Sequence, residues 1–184
     1  MTCEARPAVP RIVVGVNGSA ASAAALCWAL REATFRKAVL QVVNAWEPAT
    51  RGHAPYAPGP WAAGWEADHH AAEALLAAAV RHAQHAAGQA AEDRPALWLE
   101  AVEGLPAKVL LSRACGAELL VLGGQTARPG GGSHQPVSPV ALACLRAAPC
   151  PVVVVTSHVL AGPGLPAEPR TLSRRGARAG SSAP

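Results

Sequence analysis

RIVVGVNGSAASAAALCWAL, residues 11–30, opens with a β-branched run of the kind a sheet buries on both faces, then turns at Asn17 and Gly18. A helix follows behind Ser19, whose hydroxyl can cap its first turn. Ala24, Cys27, Trp28 and Arg31 are spaced so that the apolar members share one helix face. Arg36 and Lys37 suit the carboxyl end, where cations meet the negative end of the helix dipole. NGS at residues 17–19 is formally a glycosylation sequon, but between a strand and a helix it reads as turn chemistry.

The same alternation runs down the chain. AVLQVVNAW, residues 38–46, reads as a second strand, and residues 47–60 are too rich in proline and glycine to be anything but a surface loop. An alanine-rich segment from about residue 61 to 88 has helical spacing, and ALWLEAV, residues 96–102, alternates as a third strand. GLPAKVLLSRACG, residues 104–116, reads as a helix opened near Pro106 and closed by Gly116. AELLVLGG (residues 117–124), VALACLRAA (140–148) and CPVVVVTS (150–157) complete the pattern as strand, helix and strand. Five buried-type strands with helical connections imply an open parallel sheet with helices on both faces. In such a sheet a ligand binds beyond the carboxyl ends of the strands, where the strand order reverses.

At 184 residues the chain has room for one domain at 11–156, an extension at 1–10 and a disordered basic tail at 157–184. The apolar content of 51% with only 4% aromatic residues fits small-residue helices on a valine-rich sheet. No run is apolar enough to span a membrane and the start has no secretory pattern, so the expected location is the cytoplasm, with no membrane partner. The net charge of +4 sits largely in the tail, where Arg170, Arg174, Arg175 and Arg178 outnumber Glu168, so nucleic acid is not an expected partner. Cys3, Cys27, Cys115, Cys144 and Cys150 are scattered without CxxC pairing and read as reduced, mostly buried thiols.

Four blocks in order, IVVGVNGSAASAAALCWAL, VVNAWEP, GLPAKVLLSRACGAELLVLGG and RAAPCPVVVV, resemble the universal stress protein family over residues 11–156. The resemblance implies strand order 3-2-1-4-5, a homodimer and, in one branch, an adenine-nucleotide site, with ATP as the first ligand to consider. It brings Gly15, Val16 and Asn17 after the first strand, and Ala45 in the second, to face Gly123 and Gly124 after the fourth.

Nucleotide-binding members carry a loop of Gly, two residues, Gly, nine residues, then Gly and Ser or Thr. Here Gly123 matches the first position, Thr126 stands at the second, and the final pair falls at Ser138 and Pro139, about two residues late. Such loops hold phosphate through backbone N–H groups and a helix amino terminus. Pro139 has neither N–H nor hydroxyl, and Ser138 before it is a good N-cap whose oxygen serves its own helix. One lost charge-assisted hydrogen bond costs ~1.5–3 kcal/mol, or tenfold to a hundredfold in affinity. Weakened binding is the expectation. Gly130, Gly131, Gly132 and Ser133 either form a replacement nest, with Arg128 or His134 adding charge and Val140 opening the helix behind, or are a flexible glycine loop. Asn17 stands where the family usually has Asp, and a neutral amide changes what it offers a sugar or a metal.

His69, His70, Glu73, His82 and His85 read as a solvated helix face rather than a metal site. There is no GxxxxGK[ST] and no GxSxG, and the first turn lacks the acids of a phosphoryl receiver. The residues therefore point to a stress-response regulator or binding module, not an enzyme. A nucleotide-free dimeric interaction module and a slow ATPase are the alternatives. The fifth strand, Val152 to Val155, is an uncharged edge expected to pair with a second copy.

Overall fold

The computed structural model describes residues 9–48, 61–87, 94–124 and 137–156. The elements run β1 (Arg11–Gly15), α1 (Ala20–Arg36), β2 (Val39–Trp46), α2 (Trp61–Ala87), β3 (Leu97–Glu103), α3 (Pro106–Ala114), β4 (Leu119–Gly123), α4 (Pro139–Ala147) and β5 (Val152–Val155). All strands pair in parallel, in the order β3-β2-β1-β4-β5. The 157–184 tail, the 49–60 segment and residues 125–136 lie outside the described residues.

Each strand alternates its side chains between two helical layers, as the pleat requires. Ile12, Val14, Leu40, Val42 and Val121 pack under α1 and α2, while Val13, Val43, Leu120 and Leu122 pack under α3 and α4. The central strand β1 is buried from Ile12 to Gly15, which is why its sequence is a continuous apolar run. α1 packs closely because half of its buried residues are alanine, with Leu26 and Leu30 filling the layer. It ends on Lys37 at φ 53°, in the left-handed region more often given to glycine.

The edge strand β3 departs from clean alternation. Trp98 and Leu99 are both exposed, while Glu100 is half-buried. The cause is a polar chain across the sheet. Fully buried Gln41 accepts from Arg11 Nη1 and donates to Glu100 Oε2 at 2.7 Å. Arg113 on α3 grips Glu100 bidentately, at 2.9 and 2.6 Å. The Arg113 hydrogen bond holds the Glu100 carboxyl below its ordinary range, and the same bond holds the Arg113 guanidinium up.

Two expectations need correction. Cys27 and Cys144 are buried and Cys150 half-buried, all three free and pushed up by burial, but Cys115 is disulfide-bonded and not a reduced thiol. His69 is not simply a solvated side chain. It stacks on Trp65 with ring centroids 5.3 Å apart, against Trp46 at the end of β2. Trp65 also donates to Glu103 Oε2 at 2.8 Å, tying α2 to the end of β3. His70 and Glu73 do remain on the exposed side. Among the described residues no three His, Cys, Asp or Glu side chains gather for a metal, and no helix is long and apolar enough to cross a membrane.

Candidate nucleotide site

The strand order reverses between β1 and β4, and a cavity of about 560 Å³ opens at their carboxyl ends. That volume is in the range of small-molecule sites. Its floor is the end of β1 at Gly15 and Val16, with Val43 and Ala45 of β2 on one side and Leu122 to Gly124 on the other. Its roof is two helix amino termini, Ala20 and Ala21 of α1 and Val140 of α4.

Local sequence explains each wall. Gly18 takes φ +77°, which lets the chain turn sharply out of β1. Asn17 braces that turn: its Oδ1 accepts from the Ser19 N–H at 3.2 Å and the Ser19 hydroxyl at 2.7 Å. Ser19 then caps α1 by accepting from Ser22 N at 3.2 Å. Across the cavity Ser138 caps α4 by accepting from Ala141 N at 3.1 Å, with Pro139 at the first helical position. Just past the end of β4, Gly124 donates its N–H to the Val155 carbonyl at 2.8 Å.

Of the residues singled out from sequence, Gly15, Val16, Asn17, Ala45, Gly123, Gly124, Ser138 and Val140 line this one cavity. Thr126, Arg128, Gly130, Gly131, Gly132 and Ser133 lie outside the described residues. Sequence reasoning missed Ser19, Ala20, Ala21, Ser22, Val43, Pro106, Leu110, Leu122 and Ala141, which also face the cavity. Pro106 and Leu110 sit one helical turn apart at the start of α3, so their shared side was legible, but not the element they would face. Among the described residues no lining residue carries a titratable side chain, so what they lend the cavity electrostatically comes from backbone dipoles.

The universal stress protein family model matches residues 9–156. The chain belongs to the universal stress protein family. A universal stress protein of Mycobacterium tuberculosis is 34% identical over 149 residues, covering 79% of this chain and 48% of the relative. This universal stress protein thus spans about half the length of the curated relatives it matches. Among solved structures, the universal stress protein UspA from Lactobacillus plantarum is similar at 24% identity and a TM-score of 0.61, over 83% of this chain and 99% of that one. A universal stress protein in complex with cAMP is similar at 21% identity and a TM-score of 0.54, over 82% and 99%. The open parallel sheet is the fold this universal stress protein shares with them.

Proposed function

We propose that this universal stress protein is a non-catalytic binding module of the cytoplasm that holds an adenine nucleotide in the cavity between β1 and β4. The observation that carries the reading is the convergence of two helix amino termini on one cavity at the switch point. Aligned peptide dipoles and uncapped N–H groups there favour a phosphate. The apolar floor of Val16, Val43, Ala45 and Leu122 suits a purine ring. A similarly folded universal stress protein has been solved with cAMP. Among the described residues the walls offer no side chain that would act as a base, which favours binding over hydrolysis.

The test is calorimetry of the full chain with ATP and with AMP at millimolar concentration, alongside a thermal melt. Heat of binding and a raised midpoint are expected. Neither heat nor shift would leave a nucleotide-free interaction module. That second reading draws on β5, which among the described residues pairs with β4 alone and leaves Val152, Val153 and Val154 half-buried at the sheet edge. In both readings the working form is a homodimer through this edge.

A further inference from the structure

The hydrogen-bond donors and acceptors around the cavity do not balance. Every side-chain oxygen on the described walls already accepts within a helix cap. Asn17 Oδ1 takes both Ser19 donors, Ser19 Oγ takes Ser22 N, and Ser138 Oγ takes Ala141 N. Ser22 Oγ accepts from Asn17 N at 3.3 Å and donates to the Ser19 carbonyl at 2.9 Å. Beside a second lone pair on the Ser19 and Ser138 hydroxyls, what remains is a set of donors. Asn17 Nδ2 and the Ser138 hydroxyl hydrogen have no acceptor among the described residues. The N–H groups of Ala20, Ala21 and Val140 stand in first helical turns, where no intrahelical carbonyl reaches them.

Among the described residues no Asp, Glu, His or Cys lines these walls. Resting on the adenine-nucleotide reading above, we infer that the cavity takes its nucleotide as the free phosphate anion, without a divalent cation, and that Asn17 sets this preference. A hard cation asks for oxygen ligands, carboxylates above all, and its charge would face the positive ends of α1 and α4. A cation on the phosphate oxygens would also occupy the acceptors these donors need. Asn17 decides because Ser19 holds its Oδ1, so the other terminal atom is the one left for the ligand. In asparagine that atom is an NH₂ donor; in aspartate it would be a carboxylate oxygen.

The experiment is calorimetry of the full chain with ATP and AMP, each in EDTA and in excess magnesium. ATP binds in EDTA, and magnesium weakens its apparent affinity by at least about fivefold, under 1.4 kcal/mol. AMP, with fewer phosphate oxygens for the ion, changes by less than about twofold. Asn17→Asp keeps the bonds to Ser19 and reverses the ATP order, binding about tenfold weaker in EDTA and recovering in magnesium. ATP binding that is equal or tighter in magnesium overturns the inference on the wild-type chain alone, whatever the variant's stability, and leaves the nucleotide reading standing. A folded Asn17→Asp with the wild-type order overturns the role of Asn17. No binding of either nucleotide in either buffer removes the nucleotide reading, and this inference with it.

Discussion

A methyl group on Gly123 would lie 2.5 Å from the carbonyl carbon of Ala21 and 2.6 Å from its oxygen. The end of β4 is therefore pressed against the first turn of α1, backbone to backbone. A glycine read from sequence as a phosphate-loop position is also the contact that holds the cavity's floor to its roof. Gly123→Ala must push α1 and β4 apart, which costs about 1–3 kcal/mol by analogy with overpacked cores. Chemical denaturation is expected to show a lower midpoint with an unchanged slope; a midpoint equal to wild type would mean the contact relaxes freely.

Pro139 removes one N–H from the first turn of α4, between the cavity-lining residues Ser138 and Val140. Pro139→Ser restores that donor and adds a hydroxyl while Ser138 keeps its cap. Nucleotide affinity is expected to rise about tenfold, the worth of one charge-assisted hydrogen bond. Calorimetry checks it, and an unchanged affinity would place the limit in the length of the connection from β4.

Ser138 itself works for the helix. Ser138→Ala leaves Ala141 N–H without its side-chain acceptor at 3.1 Å and lowers stability by about 1 kcal/mol, whereas Ser138→Gly costs only a few tenths. Paired denaturation curves of the two variants separate the cap from general disturbance of the site.

Glu100 makes stability depend on acid. Its folded carboxyl is held below the ordinary range chiefly by the Arg113 hydrogen bond, so the unfolded chain binds the proton first as pH falls. The stabilisation is complete above the unfolded carboxylate range and is lost as pH drops through the lower, folded one. Glu100→Gln removes this term, so its melting temperature is expected to decline less between neutral and acid pH than wild type's. Parallel slopes for the two proteins would assign the acid limb to other carboxylates.

The outer edge of β5 carries the dimer proposal. Val153 packs toward α1 and Val154 toward α4, so Val153→Lys and Val154→Lys place a charge on opposite faces of the same edge. One of them is expected to turn a dimer into a monomer in light scattering at tens of micromolar protein. A wild-type monomer, with the 157–184 tail present and deleted, would refute the dimer.

The elements and their order were legible in the chain because they are local properties. Continuous apolar runs mark β1 and β4, Ser19 and Ser138 mark helix starts, and both serines are found capping as their positions require. The turns that meet at the cavity followed from the strand order that the family resemblance implied, since right-handed crossovers by themselves only narrow an alternating chain to a few arrangements. Pairings between distant residues were not legible. Nothing near Gln41 in sequence announces that it is fully buried between Arg11 and Glu100, 30 and 59 residues away. His69 looks like its exposed neighbour His70 until Trp46 arrives from β2 to pack beside it. Asn17 shows the division within one side chain: its residue type placed it in the turn, but only the fold showed its oxygen held by Ser19 in a residue that lines the cavity. Hydrogen-bond direction depends on where the partner atoms stand in space, and that is set by packing across the whole sheet.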